Sequence, residues 1–140
     1  MSFAKRIVLD TSTLISAALR PDSTPRQALL KAVSIATLCV SPATLAELEQ
    51  VLIRDKFDRY LDQTSRREFL EMYRRYTRLF NVTEAEEAAL PQPCRDARDN
   101  KFLALITYCG ADMLVTSDDD LLILNPYQAI PILTPKDFLA

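Results

Sequence analysis

An α/β sandwich on a mainly parallel sheet is the fold this chain predicts. Short β-branched apolar runs alternate with longer amphipathic stretches along its whole length, which is the pattern of strand–helix–strand units. The first run is apolar almost throughout, as suits a strand covered on both faces. The chain is 140 residues long, the size of one domain. No internal repeat, low-complexity tract or composition shift divides it, so a single domain over 1–140 is expected.

RIVLD (6–10) is the first strand, and Thr11, Ser12 and Thr13 after it offer helix-capping hydroxyls ahead of LISAALR. Pro21 closes that helix. Ser23, Thr24 and Pro25 open a second one, with Ala28, Leu29, Ala32 and Val33 on one stripe. TLCVS (37–41) is the second strand. Pro42 then begins a helix running to Phe57, with Leu45, Leu48, Leu52 and Ile53 inward. A further helix, 63–78, carries Phe69, Met72, Tyr73 and Tyr76 inward and a charged face outward. LFNVT (79–83) is a third strand, 85–99 a surface loop, and NKFLALITYCG a helix closed by Gly110. DMLVTS (112–117) as a strand, a short helix or turn through LLIL, a strand over 129–134 and a terminal PKDFLA helix complete the reading.

Composition excludes several chemistries. Gly110 is the only glycine, so no glycine-rich phosphate loop is present. There is no histidine, which removes His-based triads, His general bases and most zinc sites. Three cysteines, scattered and odd in number, fit reduced thiols better than a disulfide framework. Met1 to Arg6 leads straight into a strand rather than an apolar leader, and no stretch approaches the roughly 20 apolar residues of a membrane span. A cytoplasmic protein is therefore expected.

The net charge is −2, but its distribution is uneven. Residues 54–78 hold eight basic and five acidic side chains, leaving the remainder acidic. A basic middle beside an acidic rest is compatible with a nucleic-acid surface next to a cation pocket, and equally with a solvated, ion-paired helix face.

The acids fall at telling places. Asp10 ends the first strand, Asp118 follows the 112–117 strand, Asp99 opens a helix, and Glu47 lies one turn inside the helix after strand two. In an open parallel sheet, ligands bind at the carboxyl ends of the strands, so these four can converge. A cluster of carboxylates repels itself unless cations are present. All-oxygen ligands without His or Cys select Mg²⁺ or Mn²⁺. Taken singly, Asp10 and Asp99 can also be read as helix caps, Asp118 as part of a solvated turn, and Glu47 as a surface residue.

At these residues the chain resembles the PIN-domain nucleases. VLDTSTLISAAL is similar to the family's opening strand with its acid, SPATLAELEQVLIRDKF to the segment with the second, and CRDARDNKFLALITYCGADMLVTSDDDLL to the third and fourth motifs. The likeness spans almost the whole chain and is nearest to the toxin branch of toxin–antitoxin pairs. It implies a three-layer α/β/α sandwich and metal-dependent hydrolysis of RNA by Asp10, Glu47, Asp99 and Asp118 with Mg²⁺ or Mn²⁺. Ser12, where many relatives have Asn, and Thr116 or Ser117 would orient carboxylates, with Asp96 and Asp120 as accessory acids. Arg54, Lys56, Arg95, Arg98 and Lys101 would hold phosphates, and Tyr60 could stack on a base. It also implies an antitoxin partner covering the site, and a homodimer.

Competing readings are a haloacid-dehalogenase-type phosphatase, a silent RNA- or protein-binding module, and a housekeeping RNA-processing nuclease. The phosphatase needs an Asp two residues after Asp10, where Ser12 stands, and a lysine in a later motif. A silent module would be argued by loss of one of the four acids, and all four are present.

Overall fold

Every apolar run singled out above contributes a strand, and all five strands enter one sheet. The computed structural model describes residues 5–140; residues 1–4, the start of the lead into the first strand, lie outside the described residues. The strands are β1 (Lys5–Leu9), β2 (Ala36–Val40), β3 (Thr77–Leu79), β4 (Met113–Val115) and β5 (Ile132–Leu133). They pair in parallel in the order β3-β2-β1-β4-β5, with Ile7 level with Leu38 on one side and Met113 on the other.

Alternation along the strands builds two cores. Ile7, Leu9, Leu38, Val40 and Val115 face a layer formed by α1 (Thr11–Leu19), α2 (Thr24–Ile35), α3 (Pro42–Leu52), α4 (Gln63–Arg75) and α8 (Pro135–Leu139). Val8, Cys39, Leu114 and Ile132 face the opposite layer, whose buried residues come chiefly from α6 (Asn100–Cys109), with Leu121 from α7 (Asp119–Leu122). The result is the three-layer α/β/α sandwich. Among the described residues no helix is long and apolar enough to cross a membrane.

Local signals start the helices. Asp10, Ser23 and Ser41 cap α1, α2 and α3 through side-chain acceptors, and Pro25 and Pro42 occupy the first turns of α2 and α3. Gly110 ends α6 in the left-handed region at φ 64°, which a residue with a Cβ adopts only at a cost.

Several expectations need correction. The helix read over 42–57 stops at Leu52, and Asp55–Phe57 forms a separate 3₁₀ turn. The cause is Arg66, whose fully buried guanidinium takes the carbonyls of Leu52, Arg54 and Leu61 and pairs with Asp58. Arg66 therefore belongs to the interior, not to the charged face. Ile53, Met72 and Tyr76 point outward instead of inward. The helix read to 78 ends at Arg75 and the third strand runs over Thr77–Leu79, so it shares only Leu79 with the run read as strand over 79–83.

The 85–99 loop contains structure as well. Thr83 and Glu86 make a reciprocal capping box that starts α5 (Glu84–Ala88), and Ala97–Asp99 is a 3₁₀ turn capped by Asp96. The last strand is only Ile132–Leu133. Gln128 and Ala129, at φ 50° and 67°, form instead a tight turn closed by paired hydrogen bonds between Tyr127 and Ile130. All three cysteines are buried and free.

Candidate metal-binding cleft

The carboxyl ends of β1 and β4, side by side at the centre of the sheet, open into a cleft of about 410 Å³ bordered by Asp10, Glu47, Asp99 and Asp118 together. Each acid arrives on a different element. Asp10 is the residue after β1, and its amide donates to the Val115 carbonyl at 3.2 Å, which ties it to the end of β4. Asp118 caps α7, Asp99 ends the 3₁₀ turn before α6, and Glu47 projects from α3.

Asp10 is the most fixed of the four. Its Oδ1 accepts from the Thr13 amide at 3.0 Å, while Oδ2 accepts from the Thr116 hydroxyl at 2.5 Å and the Ser12 hydroxyl at 3.2 Å. Burial pushes its carboxyl above the usual carboxylate range, and these donors pull the other way. Between the two hydroxyls expected after β4, the structure separates the roles. Thr116 is buried and also accepts from the Asp118 amide at 2.9 Å, whereas Ser117 is exposed and outside the cleft.

Asp99 is in the opposite condition. Its Oδ2 is buried and has no hydrogen-bond partner. Burial, then the Asp118 carboxyl close beside it, then the charges of Asp118, Asp96 and Asp10 push its pKa up to about 7. An unpartnered, desolvated carboxylate oxygen among like charges fits a cation. The donor set, oxygen only, fits a hard divalent ion. Among the described residues, however, no three acidic or thiol groups converge into a preformed coordination shell. The carboxylates share a cleft without sharing a point.

Cations stand close to several acids of this edge. Lys101 is hydrogen-bonded to Glu47, Arg98 to Asp96, and Arg95 to Asp120 in a two-pronged contact at 2.8 and 3.1 Å. Three of the basic residues expected to hold phosphates are thus engaged by acids. Arg54 and Arg98 border the cleft; Lys56, Arg95 and Lys101 do not. Lys56 lies exposed over the Phe57 ring, and Tyr60 is exposed beside Arg59. Asp96 borders the cleft, while Asp120 does not and is paired with Arg95.

Gln50 and Phe102 also line the cleft and were not singled out in the sequence. Gln50 lies three residues after Glu47, one turn further on the same helix face, so helical spacing was the available signal. A larger hollow, about 580 Å³, runs along the outer face of α4 between Arg67, Met72 and Arg75, and none of the four acids borders it.

Comparison with known proteins agrees with this architecture. The chain superposes on the VapBC2 structure of Rickettsia felis, solved with a promoter DNA fragment, with a TM-score of 0.65 at 12% identity, covering 92% of this chain and 98% of that one. FitAcB of Neisseria gonorrhoeae gives 0.59 at 20% identity, with 93% and 98% covered. VapC20 of Mycobacterium tuberculosis gives 0.58 at 14% identity, with 85% and 95% covered. No curated protein matches the chain by sequence. A family model described as "PIN domain" matches residues 6–120. With the four acids at the sheet's carboxyl edge and a match over most of its length, the chain belongs to the PIN-domain family.

Proposed function

We propose that this protein is a ribonuclease that hydrolyses RNA phosphodiester bonds with Mg²⁺ or Mn²⁺, and that it acts as the toxin of a toxin–antitoxin pair. The observation that carries the reading is the meeting of Asp10, Glu47, Asp99 and Asp118 in one cleft, with a buried Asp99 oxygen that nothing in the protein satisfies. A divalent cation, when bound, supplies Lewis acidity and acidifies water for in-line attack on a phosphodiester. These four acids would hold it.

The protein's own part is positioning. Thr116, Ser12 and the Thr13 amide fix the Asp10 carboxylate, so it meets a cation without reorganising. Arg54 and Arg98 on the cleft wall supply positive charge for the phosphates on either side of the cut. Arg98 must leave Asp96 to do so, and its exposed side chain permits that.

RNA as substrate is supported by the M. tuberculosis relative, described as a toxin that cleaves the sarcin–ricin loop. An antitoxin partner is supported by VapBC2 and by FitAcB. A basic antitoxin segment suits a cleft lined by five carboxylates and two guanidinium groups. A homodimer in the cytoplasm completes the reading.

The test is cleavage of labelled structured and single-stranded RNAs by purified protein with Mg²⁺ or Mn²⁺, beside EDTA and an Asp10→Asn/Asp99→Asn variant. Metal-dependent cutting should fall at least about a hundredfold in the variant. Intact RNA under both metals, with folded protein, would overturn the nuclease reading.

A further inference from the structure

We infer that the hollow between α1 and the 3₁₀ turn at Asp55–Phe57 is a nucleobase subsite, in which an unpaired base of the RNA strand, next to the nucleotide in the cleft, stacks on Tyr60. This rests on the reading of the cleft as one that takes RNA, and it narrows the substrate to strands that are unpaired beside the cut.

The hollow measures about 260 Å³ and is lined by Ile15, Ser16, Leu19, Arg20, Phe57 and Tyr60. Pockets for drug-sized molecules start at about 300 Å³, so this one suits a fragment of the size of a base. Two elements join it to the cleft. Ser12 borders the cleft and Ser16 the hollow, four residues further along α1, or about 6 Å at about 1.5 Å per residue. On the other wall Arg54 borders the cleft and Phe57 the hollow, and the Phe57 amide donates to the Arg54 carbonyl at 3.1 Å. A strand held by a phosphate at Arg54 therefore reaches the hollow with its neighbouring base.

The charge around the hollow suits an anionic strand. No carboxylate lines it, and Arg20 does. Lys56 and Arg59 stand beside it, 5.1 Å and 4.7 Å from the centres of the Phe57 and Tyr60 rings. Among the described residues no carboxylate pairs with Arg20, Lys56 or Arg59, whereas Arg95, Arg98 and Lys101 are each engaged by an acid. The hollow on α4, by contrast, is lined by Glu68 and Glu71 and by no aromatic ring.

Tyr60 is a presented platform and not a core residue. It is 46% exposed, and Arg59 donates to its hydroxyl at 2.6 Å without lining the hollow, so the space beside the ring stays open. The backbone on both sides is tied down. The Tyr60 amide donates to the Phe57 carbonyl at 2.9 Å, and the buried Arg66 holds Asp58 and the Leu61 carbonyl. A tyrosine with two rotatable bonds loses little entropy when a base stacks on it. The base can do so only after leaving a partner strand, which selects single-stranded or looped RNA.

The experiment is a fluorescence titration of a uridine decamer carrying one central 2-aminopurine, whose emission is quenched by stacking on an aromatic ring. The whole protein is used, in EDTA and about 50 mM salt. Without metal the strand stays whole, and the readout is independent of catalysis. Wild type should bind and quench. Tyr60→Leu should bind about tenfold more weakly and leave the emission unquenched. Tyr60→Phe keeps the ring and should stay within about threefold of wild type, with quenching intact. Ser16→Leu fills the hollow from the α1 wall and should behave as Tyr60→Leu, so the result does not hang on one variant folding. Arg20→Gln should lower the slope of log affinity against log salt by about 1. Tyr76→Leu removes an exposed tyrosine that does not line the hollow, and should match wild type.

RNA bound by wild type without quenching, quenching by Tyr60→Leu equal to wild type, or no RNA bound at all would each overturn the subsite. The first is the pattern expected if the hollow takes an apolar side chain of a partner protein instead. In every case metal-dependent cleavage still decides the nuclease reading by itself. Quenching that depends on Tyr60, without cleavage under Mg²⁺ or Mn²⁺, would keep the subsite and overturn the nuclease.

Discussion

Asp99 is the residue where burial and like charge act in the same direction. Ionising it in the folded, metal-free protein means charging an unpartnered oxygen beside Asp118, which is why its pKa stands at about 7 against an ordinary 3.8. A carboxyl whose folded pKa is raised favours the fold while protonated, and that contribution is lost as pH rises from about 4 through 7. Asp10 is shifted the same way by burial, so the two add. The open side of the cleft screens the effect, leaving about 1 kcal/mol, or about 3–4 °C in Tm. Metal-free protein should therefore melt lower at pH 8 than at pH 5 by that amount, and Asp99→Asn should flatten the difference. A wild-type Tm that rises over this range would show that Asp99 ionises freely. Asp10, Asp99 and Asp118 were legible because each stands at an element's edge, and Glu47 because it lies one turn inside the helix after the second strand; Asp99's isolation was not, since it depends on what surrounds the side chain in space.

Arg66 shows how an element's end can be set from elsewhere in the chain. The carbonyls that α3 leaves open at Leu52 and beyond are met by a guanidinium fourteen residues on, which also holds the Arg54 carbonyl and so fixes a residue of the cleft wall. In the sequence Arg66 counted toward a basic face. Yet it precedes Phe69, Leu70 and Tyr73 by three, four and seven residues, the spacing of a buried stripe, and all three are buried. The periodicity was there, and residue type overrode it. The turn at Gln128 and Ala129 carried no such signal, since neither residue is a usual occupant of the left-handed region. Arg66→Met should leave the Leu52 and Leu61 carbonyls unpaired, the Arg54 carbonyl keeping the Phe57 amide, and cost about 2 kcal/mol or more, read as a lower urea midpoint with unchanged slope. Arg66→Lys should recover only part, because one ammonium cannot span the same acceptors. A midpoint within experimental error of wild type for Arg66→Met would mean that water satisfies those carbonyls.

At the scale of the molecule, the sheet order explains why a site can be built from such distant segments. The chain leaves β1 toward β2 on one side and returns to place β4 on the other, so the carboxyl ends of β1 and β4 diverge at a topological switch point. Asp10 and Asp118 flank that point, while α3 and the turn before α6 bring Glu47 and Asp99 to it. Strand–helix alternation made this edge legible from sequence; the ion pairs Arg95–Asp120, Arg98–Asp96 and Lys101–Glu47 belong to the folded state alone. Because the cleft exists only when the whole sheet is assembled, a cation bound there stabilises the entire fold and not one loop. At a hundred times its dissociation constant, such an ion contributes about 2.7 kcal/mol, or roughly 7–10 °C in Tm for a chain of this size. Thermal melts at pH 8 should rise by about that much with saturating Mn²⁺ in wild type, and by less than about 2 °C in Asp99→Asn. The same variant should start higher than wild type without metal, since it removes a charge the empty cleft repels. Equal Mn²⁺ shifts in the two proteins would place the ion elsewhere on the surface and detach stability from the four acids.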